Sequence, residues 1–214
     1  MLLQAHSEDH VSREKAWEWF MTRYRQPVLA YFRSSGVSAA DAEVLAQDFF
    51  ADLFRRGSLG RVTREGGRFR TWLYACLRKR AIDGHRKQTH HLDAATVDEP
   101  DPRGASRPDV AFDRAWATHL LGQAIAALEA RYSGDEERVA LFRCFLAHAT
   151  GEPSKETFAA IAEKLGMHHG SVRNAHALFK ERMRNELRIT VAATVAAEDE
   201  IDGEIAHLRR VLAQ

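Results

Sequence analysis

Apolar positions in this chain recur at three- and four-residue steps, with no clear strand alternation and no tandem repeat. Ala16, Trp17, Phe20, Met21, Tyr24, Val28 and Tyr31 mark one face of an amphipathic helix, which Gly36 ends. Ser38 is a candidate N-cap for a second helix, with Asp41 near its first turn and Val44, Leu45, Phe49, Leu53 and Phe54 on a wide apolar face. Gly57 and Gly60 break it, Gly66 and Gly67 delay the next start, and a third helix is predicted from about Phe69 to His85. Phe112, Trp116, Leu120, Leu121, Ile125 and Leu128 predict another helix. Val139, Leu141, Phe142, Phe145 and Leu146 predict one more, closed by a turn at Gly151 to Ser154. The expected fold is all-α.

Between Gln88 and about Asp109 this periodicity stops. Pro100, Pro102, Gly104 and Pro108 stand among several acids, which reads as a flexible linker. Two small helical domains on a tether follow from that break.

Composition narrows the class. Hydrophobic residues make up 45% and charged residues 29%, so a folded rather than disordered chain is expected. There is no apolar run long enough for a transmembrane helix. The first ten residues lack the pattern of a signal peptide. Cys76 and Cys144 both fall in helical apolar patterns, so a disulfide framework is not expected and a reducing cytoplasm fits.

A net charge of +1 hides an uneven distribution. Arg61, Arg64, Arg68, Arg70, Arg78, Lys79, Arg80, Arg86 and Lys87 are opposed locally only by Glu65 and Asp83. The stretches 93–113 and 198–204 are acidic. A local basic segment in a nearly neutral chain points either to a directed polyanion contact or to a solvated helix face.

Residues 158–179 carry the sharpest local motif. Ile161 and Ala162 lie in a first short helix, Leu165 closes it, Gly166 permits a left-handed turn, and Met167 plugs the corner. Val172 and Ala175 then fall where a second helix must pack back on the first, the order of a helix-turn-helix. Outward positions of the second helix are His169, Ser171, Arg173, Asn174, His176, Ala177 and Lys180. Arg pairs with guanine and Asn with adenine in the major groove, while Ser and Lys suit phosphate. His168 with His169, or Cys144 with His148, lacks the second pair that a zinc site needs, so no metal is expected.

In the third helix Phe69, Arg70, Trp72, Tyr74, Arg78, Lys79, Arg80, Asp83, Arg86 and Lys87 interleave rings with cations. Rings stack on unpaired bases and cations follow phosphates, the mixture that duplex opening needs. Phe69, Trp72 and Leu73 have core packing as their alternative role.

The order of these parts resembles a known family. The acidic-aromatic stretch Asp41-Ala-Glu-Val-Leu-Ala-Gln-Asp-Phe-Phe-Ala-Asp-Leu-Phe54 precedes Gly67-Arg-Phe-Arg-Thr-Trp-Leu-Tyr74, then a linker and a helix-turn-helix. Over roughly residues 12–188 the chain is similar to the extracytoplasmic-function (ECF) group of sigma-70 factors. The resemblance implies region 2 at 1–88, a linker at 89–111, region 4 at 112–188 and a C-terminal helical extension at 189–214. It implies that Asp41, Glu43, Gln47, Asp48, Phe49 and Asp52 bind the clamp helices of the polymerase β′ subunit. It implies further that Phe69, Trp72, Tyr74, Arg78, Lys79, Arg80, Asp83 and Arg86 read and melt the −10 element. His169, Ser171, Arg173, Asn174, Ala177 and Lys180 would read the −35 element, with their surroundings on the β flap. The implied partners are core RNA polymerase and promoter DNA, with no cofactor, no catalysis and no membrane. An anti-sigma protein or a Ser/Thr kinase is a candidate regulator.

The chain also departs from the pattern. Val44 stands where family members often carry another acid. Thr63, between Arg61 and Arg64, is a candidate phosphorylation site, since a subset of such factors short of acids here is activated by a kinase; its alternative is a turn or cap. The tail exceeds the minimal plan. Val191, Val195, Ile201, Ile205, Leu208 and Val211 predict helix, expected to pack on the second domain, with restraint of the basic helix as the alternative. A helix-turn-helix regulator acting without polymerase would explain the second domain but not the two tandem aromatic helices. An enzyme would need a phosphate loop, metal cluster or nucleophile elbow, none of which the sequence carries.

Overall fold

The computed structural model describes residues 10–57, 69–89, 107–152, 156–195 and 197–213, with side chains undescribed at 10–13 and 84–89. The described residues form helices without strands: α1 (His10–Ser34), α2 (Ala39–Arg55), α3 (Phe69–Thr89), α4 (Pro108–Tyr132), α5 (Glu136–Thr150), α6 (Phe158–Lys164), α7 (His169–Ala192) and α8 (Ile201–Leu212), the last preceded by a 3-10 turn at Glu198–Glu200.

Two compact units result. The first comprises residues 1–119 together with 191–214, and the second comprises residues 120–190. The expectation that α4 belongs wholly to the second domain is therefore corrected. Phe112 and Trp116 are buried in the first unit, whereas Leu120, Ala124 and Leu128 of the same helix are buried in the second. The tail also differs from its expected place, because residues 191–214 pack with the first unit.

Aromatic rings hold the first unit together. Phe20 contacts Tyr24, Phe50 and Phe69, with centroids 4.8, 5.7 and 5.9 Å away. Trp116 of α4 stacks on Tyr24 at 4.4 Å. Such offset and edge contacts add to the burial of large apolar surfaces. α1 continues through Pro27, which removes one internal hydrogen bond from the helix. Burial of Tyr24, Val28, Leu29 and Phe32 around that point offsets the loss. Gly36 turns the chain at φ 83°, and Ser38 caps α2 as expected. The Ser38 hydroxyl accepts from the Asp41 N–H at 3.1 Å and donates to the Asp41 carboxylate at 2.7 Å.

The second unit has its own core. Leu128, Tyr132, Leu141, Phe142, Phe145, Ile161, Val172 and Phe179 are buried together. Asp135 caps α5 and Thr157 caps α6, each satisfying backbone donors that a helix start leaves open. Between α6 and α7, Gly166 has φ 64°, and Met167 packs against the core.

A Cβ at Gly166 would meet no neighbouring atom, so the cost of Gly166→Ala is conformational alone. It should lower stability by about 1–2 kcal/mol in a urea titration of the full chain. Phe179→Ala empties a fully buried position and should cost about 3–5 kcal/mol in the same titration.

Candidate nucleic-acid interface

The apolar stripe of α3 decides which of its cations meet solvent. Phe69, Leu73, Leu77 and Ala81 are buried at four-residue spacing. Thr71, Ala75, Arg78, Lys79, Ile82 and Asp83 are exposed and share the opposite side. Ile82 is 51% exposed, an apolar group left among charges. Arg78 and Lys79 thus lie on one outer face, as their assignment to DNA requires. Trp72 is partly exposed, with its ring 5.4 Å from that of Phe69. The Arg86 side chain and Thr63 lie outside what the structure describes.

Three candidates in this unit have internal roles. Phe69 is a core residue, held between α1 and α3 rather than offered to a base. Phe49 is buried beside Phe32 and Phe50, so it supports α2 from within rather than meeting a partner. Arg80 turns away from the outer face toward α2. Its guanidinium donates to Asp48 at 2.7 Å and to Asp52 at 3.3 Å. Residues assigned separately to polymerase and to DNA therefore bind each other.

The rest of α2 keeps an outward surface. Gln47 and Asp48 are exposed, and Val44 is 57% exposed. Glu43 bridges Arg25 and Arg33 of α1 at 2.7 and 3.4 Å.

At the start of α3, Arg70 and Tyr74 face α4 and α8. Arg70 donates to Glu204 at 2.9 Å and lies 3.8 Å from Asp113. The Tyr74 hydroxyl donates to the Asp113 carboxylate, whose other oxygen meets His207 at 2.9 Å. Burial, then the bond to Asp113, pushes the Tyr74 phenol well above its ordinary range. Sequence reading missed this network. Arg70 and Glu204 are 134 residues apart, and no local pattern pairs them.

In the second unit the six candidates of the helix-turn-helix, His169, Ser171, Arg173, Asn174, Ala177 and Lys180, are all exposed on α7. Val172 and Phe179 face the core, which fixes the outward direction of the others. His168, first considered for a metal, instead caps the helix: its Nδ1 accepts from the Gly170 N–H at 3.1 Å. His176 turns inward, its ring near Phe145 and Phe158. Burial lowers its pKa, with the nearby Lys180 and His148 adding to the effect. No group of three or more metal-ligating side chains exists among the described residues. No described helix is long and apolar enough to cross a membrane.

Together these surfaces define a class: a helical protein with a basic helix in one unit and, in the other, a helix-turn-helix with polar side chains exposed on its second helix. The sigma-70 region 2 family model matches residues 20–91. The ECF RNA polymerase sigma factor RpoE of Cereibacter sphaeroides is 26% identical over 176 residues, covering 81% of this chain and 87% of that protein. No solved structure matches. Both matches support the resemblance to the ECF group of the sigma-70 family and the reading of the chain as an alternative sigma factor.

The geometry separates Arg78 and Lys79 from Arg80. In holoenzyme–promoter binding, Arg78→Ala and Lys79→Ala should each reduce the slope of log affinity against log salt by about 1. Arg80→Ala should leave the slope unchanged and lower the thermal midpoint of the free protein.

Proposed function

We propose that the first unit docks on the β′ clamp helices of core polymerase through the outer surface of α2, and that α3 holds the −10 strand. Asp41, Glu43, Gln47, Asp48 and Asp52 supply the acids and amide of the docking surface, with exposed Val44 as its apolar centre. Phe49 acts from beneath by fixing α2. Arg78 and Lys79 follow phosphates; Trp72 is the ring available for stacking, with Arg86 and Asp83 further along the helix. The observation that carries this reading is the outer face of α3, basic and open, within the stretch that matches region 2.

The second unit acts as region 4. His169, Arg173, Ala177 and Lys180 recur along one side of α7, with Ser171 and Asn174 beside them. Arg173 and Asn174 carry the donors suited to guanine and adenine edges. The β flap is the partner for the surroundings of this helix. Each unit binds DNA weakly alone, and polymerase fixes the spacing that makes the second contact effectively intramolecular. The chain supplies binding energy for recognition and strand opening, while polymerase carries out the chemistry. The cytoplasm is the compartment this work requires. Thr63 is a regulatory modification site in this reading, where phosphate would add the negative charge that Val44 withholds.

Run-off transcription with core polymerase on genomic fragments tests the assignment: specific transcripts are expected only with this chain present. Duplex binding without any polymerase dependence would instead support an ordinary regulator. Arg173→Ala should weaken recognition of the upstream box by about 1–3 kcal/mol in competition assays. An equal loss on every promoter sequence would remove its base-reading role.

A further inference from the structure

We propose that α8 is an intramolecular latch that holds Arg70 and Tyr74 away from promoter DNA and is displaced when nucleic-acid phosphate competes for Arg70. This rests on the reading of α3 as the −10 helix. It adds a mode of control carried by the chain's own C-terminal segment.

The first observation is a carboxylate in an apolar row. Ile201, Glu204, Leu208 and Val211 form the buried side of α8, and Glu204 is only 7% exposed. Sequence periodicity favoured Ile205 for that side, yet Ile205 is only partly buried. A buried ion pair is weak support for stability, since well-packed apolar groups in its place often do as well or better. Stability alone therefore leaves Glu204 unexplained, whereas a releasable charge contact accounts for it.

The second observation is what the latch covers. Arg70, Tyr74 and Arg78 follow one another at successive turns of α3. Glu204 of α8 and Asp113 of α4 take Arg70, and Asp113 takes Tyr74. Arg78, one turn further, is exposed. His207 binds the second oxygen of Asp113 and so ties α8 to the same acid. The approach to α8 is itself acidic, with Glu198, Asp199 and Glu200, and Asp202 follows in its first turn. The Glu204 carboxylate on the Arg70 guanidinium presents the kind of charge that a backbone phosphate presents.

A space of about 20 Å³, close to one water, lies beside the contact, lined among others by Tyr24, Arg70, Trp116, Thr194 and Glu204.

The test uses the full chain with core polymerase and a promoter on which the parent gives run-off product. Glu204→Gln keeps the shape and removes the charge. It should raise promoter affinity and product at limiting protein by about fivefold or more, the lower end of typical coupling between two states. Asp199→Asn removes an equal charge from an exposed position and should change neither. Because Glu204→Gln also touches packing, hydrogen exchange on the unaltered chain gives a second readout. Amides of residues 201–212 should be protected in the free protein and lose that protection in the promoter-bound holoenzyme. If they stay equally protected there, α8 is a fixed structural helix and the latch is overturned, whatever the variant does. If Glu204→Gln matches the parent in both affinity and product, the charge competition is overturned. A chain that yields no product from any promoter fails at the sigma assignment itself, and the latch falls with it.

Discussion

The contact of Phe69 with Phe20 and Tyr24 orients the surface on which this protein depends. It pins the first turn of α3, and Leu73, Leu77 and Ala81 then sit on the same buried stripe. Once that stripe is buried, helical geometry leaves no freedom in the rest. Arg78 and Lys79 must face out, and Arg80 must face α2. An aromatic anchor is well suited to this task, because a large rigid ring buries much surface with few rotamers to lose. The outward cations thus inherit their direction from apolar contacts inside the unit.

Charge is distributed by the same geometry. The acids of α2 divide between inward and outward service. Asp41 closes a cap, Glu43 bridges two arginines of α1, and Asp48 and Asp52 hold Arg80. Much of the apparent attraction between the acidic helix and the basic helix is therefore spent inside the unit. The Glu43 bridges are partly exposed and worth little each, whereas the Arg80 side chain is mostly buried against its two acids. The buried Arg70–Glu204 pair differs in kind: desolvation makes it costly unless it stays fully partnered, so it favours two discrete arrangements over gradual loosening.

In the proposed function, splitting recognition between a melting helix and a groove-reading helix keeps either from binding DNA tightly alone. The helix-turn-helix unit has a separate aromatic and aliphatic core around Phe145 and Phe179, so it holds its shape independently of α3. With polymerase setting the distance between the two, modest contacts at each add without a large surface at either. The proposed latch acts on the first contact alone.

The sequence alone determined the helices, the Ser38 cap of α2 and the corner of the helix-turn-helix. Those depend on neighbours within a few residues: the apolar period, Ser38 before Asp41, and a glycine at the left-handed turn. It also placed His169, Ser171, Arg173, Asn174, Ala177 and Lys180 on the exposed side of α7, but put His176 there too, whose ring turns inward onto Phe145 and Phe158. The tertiary structure decided what lies far apart in the chain. Which unit receives the start of α4 and the tail depends on Trp116 meeting Tyr24, and on Glu204 meeting Arg70. Periodicity names a buried face but not its partner, and a charge in the sequence does not reveal whether it will face water, nucleic acid or an opposite charge brought in from another helix.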